Sequence, residues 1–307
     1  MPESLAITCI VHTRDSEATL ERALTSVAWV DELIVVDMQS RDRTREIAAK
    51  HASRILEAPL ARRVDGIRSR FLAEAAHDWI LVLDSDEYLA DDAQESVRAL
   101  LREAADEFDA FAIPRFNSIA GQIMRGSGWY PDHQLRLFRK GTVRWSDGTH
   151  VAPKLLTGRE RRRVLQPPDC LHIHHQNYAD LAHFVRKQVA YALDDRYDDD
   201  PSRFRFDDYV TRAYQQLAAR RDPERDGDLS RALSLLMAWD QVVRGLLHWE
   251  RLDPRPPLPD SAVLPPATHE PDRERRGLRA WLRHRRRRRK RRGGSARREP
   301  PSSSRVS

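Results

Sequence analysis

Short apolar runs, each closed by a polar or acidic residue, alternate along the first third of the chain with stretches whose apolar positions recur every three or four residues. Residues 5–11 form the first run, rich in β-branched side chains, and predict a buried strand. In residues 16–27, Ala18, Leu20, Ala23, Leu24 and Val27 share one face of a predicted helix. The same alternation continues with a strand over 33–36, a helix over 43–51, a short strand over Arg54–Glu57, a helix over 65–76 and a strand over 79–83. Strands alternating with helices imply an α/β fold with a mainly parallel, right-handed, doubly wound sheet.

The pattern then loosens. Residues 111–114 and 135–138 read as strands, with a glycine-rich loop over 121–128 between them. Helical periodicity returns over 178–197, 203–221 and 229–251. Beyond Pro254 the density of proline excludes continuous helix or sheet, and residues 283–292 are all basic except His284. The expected division is a sheet domain over 1–177, a helical extension over 178–254 and a disordered Pro/Arg-rich tail over 255–307. No internal repeat is visible.

Charge follows that division. Residues 273–307 hold 16 of the 53 Lys and Arg against two acids, which leaves residues 1–272 with a net charge of −8. The basic balance therefore belongs to the tail and gives little support to a nucleic-acid partner. Cys9 and Cys170 make no disulfide framework and read as small packing residues of a chain in a reducing compartment. The N-terminus lacks the basic start and apolar stretch of a signal peptide, and no run approaches the roughly 18 apolar residues that cross a bilayer. The expected location is cytoplasmic, at most peripheral at the inner face of the cell membrane.

Candidate chemistry lies at the strand ends, because ligands of open α/β sheets bind beyond the carboxyl edge of the parallel strands. Asp37 closes the run 33–36, and Asp84-Ser85-Asp86-Glu87 follows the run 79–83. The Asp-x-Asp pair suits a hard divalent cation that bridges carboxylates to phosphate oxygens. Its plain alternative is a solvated turn opening the next helix. Asp37 either caps the helix that follows or accepts hydrogen bonds from a base or ribose.

These segments together resemble family 2 glycosyltransferases of the GT-A fold. The resemblance is carried by residues 7–15 (Ile-Thr-Cys-Ile-Val-His-Thr-Arg-Asp), 24–27, 31–37 with Ser40, Asp42 and Thr44, and 79–87. Gly128-Trp129-Tyr130-Pro131-Asp132 and residues 134–140 are similar to the branch containing lipopolysaccharide-core glucosyltransferases, and His172, Tyr178, Leu181, Lys187 and Tyr191 continue the similarity. The resemblance spans roughly residues 5–195. It implies an inverting transfer from a nucleotide-sugar donor to a cell-envelope glycan or glycolipid, with Mn²⁺ or Mg²⁺ as cofactor. By the same resemblance Asp37 and the segment around Thr13 hold the nucleotide. Asp84 faces the ribose or the metal–diphosphate assembly, Asp86 is the principal metal ligand, and Arg70 matches a recurrent arginine that contacts the donor.

The sequence departs from that pattern in three places. Asp15-Ser16 replaces the usual Asn-Glu pair, and Phe71 stands where the family has Asn. The Glu that follows the branch's Arg-Trp segment, a plausible base, is replaced at His150-Val151. Asp132 is the first substitute for that base, ahead of Asp147 and His150. Of His172, His174 and His175, His172 is the candidate second metal ligand beside the diphosphate. Trp129, Tyr130 and Trp145 either stack on sugar rings or pack the core. The tail, with the short apolar stretch 277–282, suits an anionic membrane surface bearing the acceptor. Loss of the expected Glu leaves a second reading, a noncatalytic donor-binding or scaffolding protein of the same fold.

Overall fold

The computed structural model describes residues 5–61, 64–145, 153–167, 170–195 and 197–256. In chain order these form β1 (Ile7–Thr13), α1 (Leu20–Thr25), β2 (Glu32–Asp37), α2 (Thr44–His51), β3 (Arg54–Glu57), α3 (Asp65–Phe71), β4 (Trp79–Asp84), β5 (Glu87–Leu89) and α4 (Ala93–Ala104). Then follow β6 (Ala110–Ile119), β7 (Gln122–Ile123), β8 (Asp132–Arg139), β9 (Val143–Arg144), β10 (Lys154–Leu155), β11 (Arg162–Val164) and β12 (Ile173–Tyr178). Helices α5 (Leu181–Asp194), α6 (Phe206–Ala219) and α7 (Pro223–Arg251) close the described chain.

One sheet carries the order β3-β2-β1-β4-β8-β6-β12-β5. The first four strands are parallel, as the alternation of strand and helix predicts. Strand β8 then enters antiparallel between β4 and β6. Strands β11 and β12 run parallel to β6 one after the other along its second edge. The result is a mainly parallel α/β sheet with helices on both faces.

The strands are buried on both faces, so their side chains divide by period two. Cys9, Val11, Leu81 and Leu83 pack with Leu20, Leu24, Val97 and Leu101 on the face covered by α1, α2 and α4. Ile10, Ile80 and Val82 pack with Ile67 and Leu72 on the face covered by α3. A smaller cluster of Ile119, Met124, Trp129, Tyr178, Phe184 and Leu233 joins the last helices to the sheet. Gly245 lets α7 approach α6, since a Cβ there would meet Phe206 and Tyr209 at 2.8–3.0 Å.

Candidate functional site

Strands β1, β2 and β4 deliver their last residues to one edge. The register places Thr13 beside Asp37 and His12 beside Asp84. The loops that follow are tied together by short polar side chains. Ser40 Oγ accepts from the Asp15 amide at 2.9 Å, Asp15 Oδ1 from the Arg41 amide at 2.8 Å, and Thr44 Oγ1 from the Ser16 amide at 2.7 Å. Ser16 and Ser85 share a hydrogen bond of 2.8 Å, so the first loop also holds the loop after β4. Asp37 is fully buried and accepts from the Ser40 amide, with Arg45 3.7 Å away.

Behind the loop after β4 lies a network of acids and arginines. Asp84 pairs with Arg68 of α3 and, at 2.6 Å, with Arg136 of β8. Glu87 accepts from Arg115 at 2.6 Å, from Arg136 at 2.9 Å and from the Asp84 amide at 3.0 Å. Asp132 accepts from Arg115 at 2.6 and 2.9 Å, Asn117 at 3.1 Å and Gln134 at 2.7 Å. Buried charges persist only when paired in this way. Burial opposes ionisation of Asp84, and Arg136 followed by Arg68 outweighs it, so this carboxyl stays well below its ordinary range. The same contest, decided by Arg115, lowers Asp132.

Not every polar atom there is satisfied. Both ring nitrogens of His12, Thr13 Oγ1, Arg68 Nη1 and Arg136 Nε are buried without a hydrogen-bond partner among the described residues. Desolvation and the adjacent Arg68 keep His12 neutral, with its pKa pushed well below the usual imidazole value. Buried orphans of this kind ask for an explanation, and a bound ligand is one. A cavity of about 650 Å³ opens beside the two arginines, lined by Arg68, Asp84, Arg115, Arg136, Arg162 and Trp145 among others.

Asp86 projects from the same loop, 3.4 Å from His175 Nε2. Burial works against its charge, and His175 outweighs it, leaving the carboxyl below its ordinary value. Asn117 fixes the imidazole. Its amide nitrogen donates to Trp129 O at 2.8 Å and to Asp132, so its oxygen is the atom that accepts from His175 Nδ1 at 2.7 Å. With a proton fixed on Nδ1, His175 turns its Nε2 toward Asp86. An oriented imidazole beside a carboxylate is a fitting donor pair for a divalent cation. Among the described residues no group of three His, Cys, Asp or Glu converges on one point, so the rest of a coordination shell would come from a ligand or water.

Part of the chain is similar to known proteins. Residues 8–156 match the Glycosyl transferase family 2 model. That span runs from β1 through β10 and holds every residue named above except Arg162 and His175. The chain is 40% identical over 116 residues to a TPR repeat-containing protein of Synechococcus elongatus, covering 38% of this chain and 28% of that protein. It is 32% identical over 109 residues to an uncharacterized glycosyltransferase of Rickettsia bellii, covering 35% and 37%. The match thus spans 28–37% of the length of these curated relatives. Among solved structures, residues 1–349 of S. aureus TarS, crystallised in complex with UDP-GlcNAc, align at 17% identity and TM-score 0.43, covering 75% of this chain and 71% of that one.

Against the family 2 frame, the expected residues fall into two groups. Thr13, Asp37, Asp84 and Asp86 meet at the carboxyl edge. His172 does not join them. Its Nδ1 donates to Cys170 O at 2.7 Å, its Nε2 accepts from Tyr130 at 3.0 Å, and its ring stacks on Phe116. His175, one strand residue beyond His174 and on the other face, takes the place beside Asp86. Arg70 is exposed, whereas Arg68 on the same helix is buried against Asp84. Asp132 lies in the network, held by Arg115, Asn117 and Gln134. Trp129 and Trp145 are buried core residues, and Tyr130 stacks on Phe116. Asp147 and His150 lie outside the described residues, as do 1–4 and the tail from 257. His12, Arg68, Arg115, Asn117 and Arg136 join these residues without a role assigned to them by the sequence pattern. The available signal was the period-two pair Arg115 and Asn117, polar residues on one face of an otherwise apolar strand.

Proposed function

We propose that this chain transfers a sugar from a nucleotide-sugar donor to an acceptor hydroxyl, inverting the anomeric carbon, with Mn²⁺ or Mg²⁺ held at Asp86. The observation that carries the reading is the pairing of Asp86 with the tautomer-fixed His175 at the edge where Asp37 and Thr13 also end. Asp86 and His175 would hold the metal, and His175 replaces His172 as its proposed nitrogen ligand. When bound, the cation neutralises charge on the departing nucleoside diphosphate. Asp37 and Thr13 would take the nucleotide, and the orphaned donors of Arg68 and Arg136 suit its phosphate oxygens. The acceptor oxygen bonds to the anomeric carbon as the bond to the diphosphate breaks, and the hydroxyl proton passes to a base. Asp132 is the proposed base. Its lowered pKa keeps it ionised throughout the physiological range, and the three side chains around it fix its orientation.

The similarity of residues 128–140 to the lipopolysaccharide-core branch supports a cell-envelope glycan or glycolipid as acceptor, and the basic tail suits an anionic membrane that carries one. No helix among the described residues is long and apolar enough to cross that membrane. Two observations favour the second reading, a noncatalytic donor-binding or scaffolding protein. Both oxygens of Asp132 are already occupied, and the carboxylate of the branch is missing at His150-Val151.

The test is titration of UDP-, GDP- and dTDP-sugars by calorimetry, with and without Mn²⁺ or Mg²⁺. Binding of one nucleotide class should require metal and disappear in Asp86→Ala, while the circular dichroism spectrum stays unchanged. Binding without hydrolysis or transfer to any acceptor would move the assignment to the noncatalytic reading. Absence of binding by a folded sample rejects both.

A further inference from the structure

Helix α7 buries one face in the expected way. Leu233, Asp240, Gly245 and His248 turn inward against α5 and α6. A helix at a protein surface normally answers with a polar outer face. This one does not. Between Arg231 and Glu250 the only acidic or basic residues besides His248 are Asp240 and Arg244. Both are spent inside: Arg244 donates to Asp240 at 2.8 Å and also pairs with Asp195.

The opposite face carries Ala232, Leu235, Trp239, Val242 and Leu246, spaced by three, four, three and four residues. Leu235 is 61% exposed, Trp239 43% and Leu246 44%. Three large side chains at these exposures form a continuous apolar stripe along one helix, far more than the scattered apolar residues of an ordinary surface. The three–four spacing is that of a seam between two helices, because it keeps the apolar line facing a partner helix over successive turns.

We infer that this face of α7 docks against the same face of a second copy of the chain, as an antiparallel pair about a twofold axis between Asp240 and Gln241. Charge complementarity selects the partner and its direction. An isologous antiparallel pairing sets Leu235 opposite Leu246 and Trp239 opposite Val242 of the second copy. The same register sets Arg231, which also pairs with Asp228 one turn earlier in its own helix, opposite Glu250, so the charges that close the stripe at its two ends attract. A parallel pairing would set Arg231 against Arg231 and Glu250 against Glu250. The inference stands independently of the proposed activity, since no residue of the strand-edge site takes part.

The experiment is light scattering on the full chain after size exclusion, over a concentration series. Wild type should dimerise, and Leu235→Glu should raise the dissociation constant by about 30-fold or more, the size of a hot-spot residue's loss. Arg231→Glu should weaken the dimer, and adding Glu250→Arg to it should restore it. All these positions face solvent in the single chain, so unchanged thermal unfolding of the diluted variants separates the effect from misfolding. In a further variant, Leu235→Cys with Leu246→Cys should give an intermolecular disulfide that Leu235→Cys alone does not. A chain monomeric at every concentration, or a dimer indifferent to Leu235→Glu, overturns the inference. So does a monomer that floats with phosphatidylglycerol vesicles and loses them on Leu235→Glu, which would assign the face to lipid.

Discussion

Asn117 holds two groups in register at once: its amide nitrogen steadies Asp132 and its oxygen sets the tautomer of His175. Outer partners of this kind commonly govern metal affinity by about 10–100-fold. Asn117→Ala should therefore weaken Mn²⁺-dependent donor binding by about that factor and leave metal-free nucleotide binding nearly unchanged, both read by calorimetry. A second residue tests electrostatics away from the site. Asp109 accepts from Arg161 at 2.8 and 3.1 Å, and that guanidinium holds its carboxyl below the ordinary value. A depressed folded pKa contributes stability that is complete above the unfolded value, about 3.9, and is lost as pH falls through the folded one. The stability gap between wild type and Asp109→Asn, from urea unfolding, should be constant from neutral pH to about pH 5 and should close below about pH 4.

Among the elements, the start of α7 does more than open a helix. Asp226 is 2% exposed and accepts from the Arg125 and Gly126 amides at 2.6 and 3.0 Å and from Ser127 Oγ at 2.6 Å. The loop so held leads directly to Trp129 and Asp132. Gly126 lies close under α7, where a Cβ would make the Asp222 and Arg225 side chains shift. Asp226→Ala strands three donors that a charged acceptor had satisfied, and should cost about 3 kcal/mol of unfolding free energy by denaturant titration. It should also loosen Asp132, seen as faster proteolysis between residues 121 and 131. The sequence did predict a glycine-rich loop at 121–128. Nothing local tied it to an aspartate about a hundred positions later. The direction of β8 was equally hidden, since a run such as Leu135–Phe138 reads the same in parallel and antiparallel pairing.

At the scale of the whole molecule, two opposite charges share one chain. Residues 1–272 carry a net −8 and the last 35 residues the excess of basic charge. Deleting 273–307 should turn a chain retained on a cation exchanger at neutral pH into one retained on an anion exchanger. Nucleotide-sugar titration should be unaffected, because the strand-edge site lies wholly within residues 12–175. If flotation with phosphatidylglycerol vesicles is also unaffected, the tail is not the membrane contact.

The alternation of buried runs and amphipathic stretches determined the parallel half of the sheet, because each apolar run needs covering on two faces and each helix offers one. It also placed Asp37, Asp84 and Asp86 at a common edge, since strand ends in such a sheet are set by the same pattern. Only the tertiary structure shows that His175 and not His172 lies beside Asp86, and that Arg68 and not Arg70 pairs with Asp84. Each pair is separated by two or three positions, and what distinguishes its members is which neighbour from a distant strand satisfies or faces the side chain. Asn117, Asp226 and the outer face of α7 belong to that second class for the same reason: hydrogen-bond partners and solvent exposure are properties of packing, and a linear pattern carries no record of them.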